Sequence, residues 1–242
     1  MKVYPQINTV RIEIEPDKVS EGKQWIQNAV NHGYEVIATY HKCDVLGTDN
    51  STELLNAAYW WVSNYEYLNS SGPFMINLMN EWGSHYQTPE SYSDAYNAAL
   101  AVLRQTYTGP VVIDIPGWGQ ETRTAHEASP LVIDLDVILS AHVYPNGWNE
   151  AAGHNLDMSD MNELMQSGRP CLIGEFGTDG SGPVNVSEIV TYAKNIGFVG
   201  VLAWAWNGDG GDMNMASPPW YDNPTAQTYE ESNYFDDVIA LI

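Results

Sequence analysis

The stretch FMINLMNEWG, Phe74 to Gly83, decides how the chain is read. It is apolar for most of its length, as a strand buried on both faces is, and then stops on Asn80, Glu81 and Trp82. It belongs to the run PFMINLMN (73–80), and six runs share its character: TVRIEI (9–14), EVIATYH (35–41), PVVIDI (110–115), VILSAHVY (137–144), CLIGEF (171–176) and GVLAWAW (200–206). Segments of helical period lie between them. In TPESYSDAYNAALAVLRQ, Thr88 is placed to cap, Pro89 suits a first helical turn, and Tyr92, Tyr96, Leu100 and Leu103 recur on one face. In STELLNAAYWWVSNYEYL, Leu54, Leu55, Ala58, Trp61, Val62 and Tyr65 form one stripe. Apolar strands alternating with amphipathic helices predict parallel strands covered on both faces. With 242 residues, 44% of them hydrophobic, the chain can bury a core as one domain spanning 1–242. A (β/α) barrel is the leading architecture, and an open doubly wound sheet is the alternative.

Composition narrows the partners. The chain carries 31 acidic against 9 basic residues, a formal charge of −22. Nucleic-acid binding needs a basic stripe that this sequence lacks, and polyanions or anionic lipid would be repelled. A neutral partner is the natural inference, although acidity that serves only solubility fits the composition equally well. No run of 18 apolar residues predicts a membrane helix. The N-terminal MKVYPQINTV lacks the apolar segment and cleavage site of a signal peptide. Cys43 and Cys171 are too few for a disulfide framework and lack metal-site spacing. Their positions at opposite ends of two strands predict that they stay unpaired.

In a (β/α) barrel the chemistry gathers where strands finish. The second run carries His41, the third Asn80, Glu81 and Trp82, and the fourth leads into PGWGQ with Trp118. The fifth carries His142 and Tyr144 on one strand face, the sixth Glu175, and the last Trp204 and Trp206 on one face. Arg11 lies inside the first run, where an unpaired guanidinium is costly, so it should meet a carboxylate, with Glu175 the expected partner. A lone Asn-Glu or Gly-Glu is more often a solvated loop acid. Two glutamates at different strand ends, ringed by indoles, instead suit glycoside cleavage, which needs an acid for the leaving oxygen and a carboxylate for the anomeric carbon. These residues name the pair without ordering its roles.

The segments NLMNEWG, IDIPGWGQ, AHVY, IGEFG and LAWAWNGDGG stand in an order and at intervals that resemble glycoside hydrolase family 5, most of all its bacterial endo-β-1,4-mannanases, over about Val10 to Gly211. The resemblance implies a TIM-type (β/α)8 barrel and a secreted, retaining enzyme without cofactor or metal. Its substrate would be a neutral β-linked polysaccharide: mannan, glucomannan or galactomannan. Glu81 would be the general acid/base and Glu175 the nucleophile, with Asn80 on the sugar 2-hydroxyl. Arg11 and Tyr144 would keep Glu175 ionised, His41 and His142 would line the cleaved-sugar subsite, and Trp204 would be its floor. Trp82, Trp118 and Trp206 would complete the substrate cleft. A β-1,4-glucanase on the same scaffold, or a sugar-binding barrel without activity, are the alternatives.

Other motifs carry less. HEASP (126–130) has Pro130 where a zinc helix needs its second histidine, and GDGG (208–211) lacks the Lys-Ser/Thr of a phosphate loop. Asp209, Asp212 and Asp222 read as solvated loop acids, and His32, His85 and His154 as surface residues. Glu13 stands where the family has an apolar residue, and is open to three readings: a third site carboxylate, a partner of Arg11, or a register change. The match begins at the family's second strand, so the first β/α unit is expected to be missing, with runs 9–14 and 200–206 flanking an opening unless Met1 to Gln6 or another segment fills it.

Overall fold

A computed structural model describes residues 4–242. The seven apolar runs form seven parallel strands: β1 (Thr9–Ile14), β2 (Glu35–Tyr40), β3 (Met75–Asn77), β4 (Val111–Asp114), β5 (Val137–Val143), β6 (Cys171–Phe176) and β7 (Val201–Ala203). Their order in the sheet is their order in the chain. A doubly wound sheet reverses direction at a switch point, and none occurs here; the sheet curls into a nearly closed (β/α) barrel. Its outer layer includes α1 (Val19–Asn31), α2 (Ser51–Asn69), α3 (Pro89–Leu103), α4 (Thr122–Ala128), α5 (Met158–Met165), α6 (Val186–Ile196) and α7 (Asn233–Ile239).

Local chemistry sets the helix starts. Thr88 accepts from Ser91 N while the Ser91 hydroxyl accepts from Thr88 N, a reciprocal cap that satisfies two orphan donors ahead of Pro89. Asn50 and Asn185 accept the amides of Thr52 and Glu188 at the starts of α2 and α6. The expected stripe of α2 is realised, with Leu54, Ala58 and Trp61 fully buried.

Strand alternation then sorts the side chains. Val36, Ala38, Tyr40, Val111, Ile113, Leu139 and Ala141 point outward into the core shared with the helices. Ile37, Val112 and Leu172, with Met75, Ile138 and Leu202, form a separate apolar layer inside the barrel. Two residues further along their strands, Thr39, Asn77 and Asp114 form a buried polar layer above it. The functional end of the barrel begins there.

Strand β6 departs from simple alternation. Its Ile173 pairs with Ala141 but Glu175 with the next residue, His142; on the other side Ile173 faces Val201 and Phe176 faces Ala203. One extra residue therefore sits between Ile173 and Phe176. Without this bulge Glu175 would share the outward face of Ile173; with it Phe176 packs outward and Glu175 turns into the lumen.

β1 and β7 end the sheet. Their Cα atoms approach within 8 Å, but no ladder joins them among the described residues. A cavity of about 1260 Å³ opens beside them, lined by Val10, Ile37, Leu172 and Leu202 below and by Arg11 and Glu175 above. The seven-strand count and the position of the opening match expectation. Of the Met1–Gln6 segment, Met1 to Val3 lie outside the described residues. Both cysteines are free: Cys43 is exposed in the turn after β2 and Cys171 is buried at the start of β6.

Candidate active site

Arg11 organises the lumen. Its Nη1 donates to Glu175 Oε1 at 2.8 Å and to Glu13 Oε1 at 2.9 Å. Its Nη2 donates to Asn80 Oδ1 at 2.5 Å and Asn77 Oδ1 at 2.9 Å, with Asp114 Oδ2 at 3.5 Å. Glu175 is the expected partner of Arg11, and Glu13 is a second one in regular register with Thr39 of β2. The Tyr144 hydroxyl donates to Glu175 Oε2 at 2.6 Å. Burial pushes the Glu175 carboxyl up, but the charges of His142 and Arg11 and the Tyr144 hydroxyl outweigh it and hold it below the ordinary carboxylate range.

Glu81 sits in the opposite environment. Burial drives its carboxyl up, His142 opposes this, and Glu175 and Asp114 add to the rise; the net shift is upward. His142 Nδ1 lies 2.8 Å from Glu81 Oε1 and 3.6 Å from Glu175 Oε2. One carboxylate oxygen of each glutamate and a His142 ring nitrogen all lie within 4.8 Å of one another. Glu81 has a left-handed backbone, φ 48°, unusual for a side-chain-bearing residue. Its N–H donates to Asp114 Oδ2 at 2.9 Å, which fixes that turn.

Asp114 and Asn77 escaped the sequence reading. Asp114 is fully buried at the end of β4, accepts from Glu81 N and Asn77 Nδ2, and faces Arg11 and His142. An acid inside the apolar run PVVIDI was the available signal. His85 is no surface histidine either: it bonds the fully buried Glu121 at 2.6 Å and packs on Trp118.

The aromatics divide. Trp118 is 36% exposed at the rim and covers Gly47, where a Cβ would fall 2.1 Å from the indole and the backbone has φ +67°. Gly119 lets the same turn press on His142, 2.6 Å from where its Cβ would be. Trp204 is half-buried, with Nε1 donating to Asp209 Oδ1 at 2.9 Å, and Trp206 is 60% exposed. Both border the cavity beside Arg11 and Glu175. Two expectations are corrected. Trp82 is wholly enclosed against Tyr92 and Tyr96, with Nε1 donating to Asn50 O, so it offers no face to a ligand and instead anchors the strand end. His142 is likewise enclosed and lies beneath the glutamates rather than lining a subsite. His41 is half-buried, its Nε2 3.6 Å from Glu13 Oε2.

Comparison with known proteins adds an independent line. The sequence profile described as Cellulase (glycosyl hydrolase family 5) matches residues 3–210. The mannan endo-1,4-beta-mannosidase of Salipaludibacillus agaradhaerens is 28% identical over 220 residues, 84% of this chain and 68% of that protein. The mannan endo-1,4-beta-mannosidase of Streptomyces lividans is 28% identical over 231 residues, 85% of this chain and 56% of that protein. Among solved structures, the catalytic domain of a mannanase from Streptomyces sp. SirexAA-E superposes with a TM-score of 0.73 at 22% identity, covering 97% of this chain and 76% of that one.

Proposed function

The chain belongs to glycosyl hydrolase family 5, and from that premise we propose that it is a retaining endo-β-1,4-mannanase acting on internal bonds of mannan-type polysaccharides. The observation that carries the reading is the close, electrostatically opposed pair of Glu81 and Glu175, with oxygens within 4.8 Å. Retaining glycosidases hold their carboxyl groups about 5–5.5 Å apart, whereas inverting ones leave about 6.5–9.5 Å for a water. Glu175, held ionised, attacks the anomeric carbon while Glu81, holding its proton, gives it to the departing glycosidic oxygen. A glycosyl ester on Glu175 results, and water cleaves it as Glu81 takes a proton back. Arg11 and Tyr144 stabilise the charge on Glu175, His142 orients Glu81, and Asn80 is placed for the 2-hydroxyl. His41, Trp118, Trp204 and Trp206 supply the sugar-contacting surface.

In this reading residues 1–242 act as one catalytic domain and use neither metal nor cofactor. A polymeric substrate favours work outside the cell, and no helix among the described residues is long and apolar enough to cross a membrane. Mannan is favoured over cellulose because both relatives are mannan endo-1,4-beta-mannosidases. The family's own description, Cellulase, supports the β-1,4-glucanase alternative.

Reducing-sugar release from mannan, carboxymethylcellulose and xylan in parallel tests the proposal. Mannan should be cleaved fastest. Faster release from carboxymethylcellulose would replace the substrate, and binding without release from any polymer would leave a sugar-binding barrel. The Glu175→Gln variant should bind mannooligosaccharide yet turn none over; hydrolysis at the parent rate would remove Glu175 from its role.

A further inference from the structure

We infer that Glu15, His41 and Cys43 form a binding site for a divalent cation of the zinc class at the rim of the cleft. The loops that leave β1 and β2 bring the three together. Cys43 Sγ lies 3.5 Å from His41 Nδ1 and 3.5 Å from Glu15 Oε1, and the three donor atoms are all within 4.8 Å of one another. In a tetrahedral zinc site, with Zn–S about 2.3 Å and Zn–N or Zn–O about 2.0–2.1 Å, neighbouring donors stand about 3.3–3.6 Å apart. Both distances from sulfur already have that length. A thiol has one proton, so it can donate to only one of the two groups that converge on it. A cation can satisfy all three at once, the thiol proton leaving to solvent as sulfur binds.

The surroundings fit as well. Glu15 and Cys43 are exposed, which leaves the fourth position to water, and the chain's charge of −22 favours a cation. The other His41 nitrogen, Nε2, faces the Glu13 carboxyl group with Oε2 at 3.6 Å, the position of an outer partner for a metal-bound imidazole. Sequence spacing could not reveal the site because its ligands come from two loops. Another grouping, His154, Asp157 and Asp160, lacks sulfur and already spends its carboxylates on the start of α5. Through His41, Glu13 and Arg11 the cation would touch the network that holds Glu175. Zinc is therefore expected to slow hydrolysis reversibly, a consequence that rests on the proposed function, whereas binding does not.

Titration of the whole chain with Co²⁺ should raise a thiolate-to-cobalt charge-transfer band that equimolar Zn²⁺ abolishes. Zn²⁺ should also protect Cys43 from alkylation; the buried Cys171 serves as the internal blank. Cys43→Ser should lose the band, and Cys43→Ser and Glu15→Gln should each bind zinc at least about tenfold more weakly by calorimetry. Asp157→Asn should bind as the parent does. Absence of the band, or zinc binding by Cys43→Ser at parent affinity, would overturn the site. Alkylation protection is read on the parent protein, so it holds even if a variant fails to fold. A protein that shows the band but cleaves no mannan would keep the site and lose the functional reading; one that cleaves mannan without the band would do the reverse.

Discussion

Inside the barrel two cations, Arg11 and His142, face four carboxyl groups, those of Glu13, Glu81, Asp114 and Glu175. Of these acids Glu81 and Glu13 are pushed upward, the latter to about 8 by burial that Arg11 only partly offsets. His142 is pushed down by burial, but Glu175, Asp114 and Glu81 outweigh it and hold it at about 9. Glu13 and His142 bind protons more tightly folded than unfolded, so their stabilisation is complete below their ordinary values and is lost as pH rises through about 8 and 9. Glu175 has the opposite sign, and its contribution is lost as pH falls through its depressed value. Thermal unfolding followed from pH 6 to 9 should show a falling Tm, with a shallower fall in Glu13→Gln; an equal slope would exclude Glu13. His142 lowers both glutamates, so His142→Gln should move both limbs of the kcat/KM profile to higher pH while reducing kcat. Truncating Asp114 to Ala should cost about 1–3 kcal/mol in urea unfolding, because the Glu81 N–H and the Asn77 side-chain amide lose the acceptor they share. The two glutamates were legible because each ends an apolar run. Asp114 was less so: it lies inside its run, with Ile115 after it, and an anchor of this kind is visible only once Glu81 N–H and Arg11 are seen to converge on it.

Continuous apolar runs located every strand, but strict alternation along β6 would turn Glu175 outward, and the bulge that reverses parity between Ile173 and Phe176 lies outside what such a run reveals. No residue type in CLIGEF announces this; Gly174 is the one hint, and it is needed for closeness. A Cβ there would meet Ser140 Oγ at 2.1 Å, and that hydroxyl has no hydrogen-bond partner among the described residues. Gly174→Ala should therefore destabilise by about 1–3 kcal/mol through overpacking. The double variant Gly174→Ala with Ser140→Ala should regain most of it in denaturant unfolding; additive losses would place the strain elsewhere. The helix signals were read more easily because they are local: Thr88 and Pro89 fix the start of α3 without help from the fold. Thr88→Ala should lose about 1 kcal/mol, seen as a Tm lower by roughly 2–4 °C, with kcat unchanged.

For the molecule as a whole, strand count and order followed from the alternation of runs, whereas the place of the opening followed from the family resemblance, which begins at the family's second strand. How nearly β1 and β7 approach was not legible, because it depends on the coiling of the entire sheet rather than on any one strand. The consequence lies in how the structure breathes. β4 and β6 are buried along their whole length, while β1 and β7 are only half-buried for most or all of theirs. A closed barrel would distribute opening free energies around its circumference; a sheet with two ends concentrates the low ones there. Amide hydrogen exchange should thus be graded, fastest in β1 and β7 and slowest in β3 to β5, and uniform protection around the sheet would refute the gradient. Arg11 belongs to the fast end and Glu81 follows the slow centre, so fluctuations at the edge would reach the counter-charge of Glu175 first and leave the strand that leads to Glu81 undisturbed.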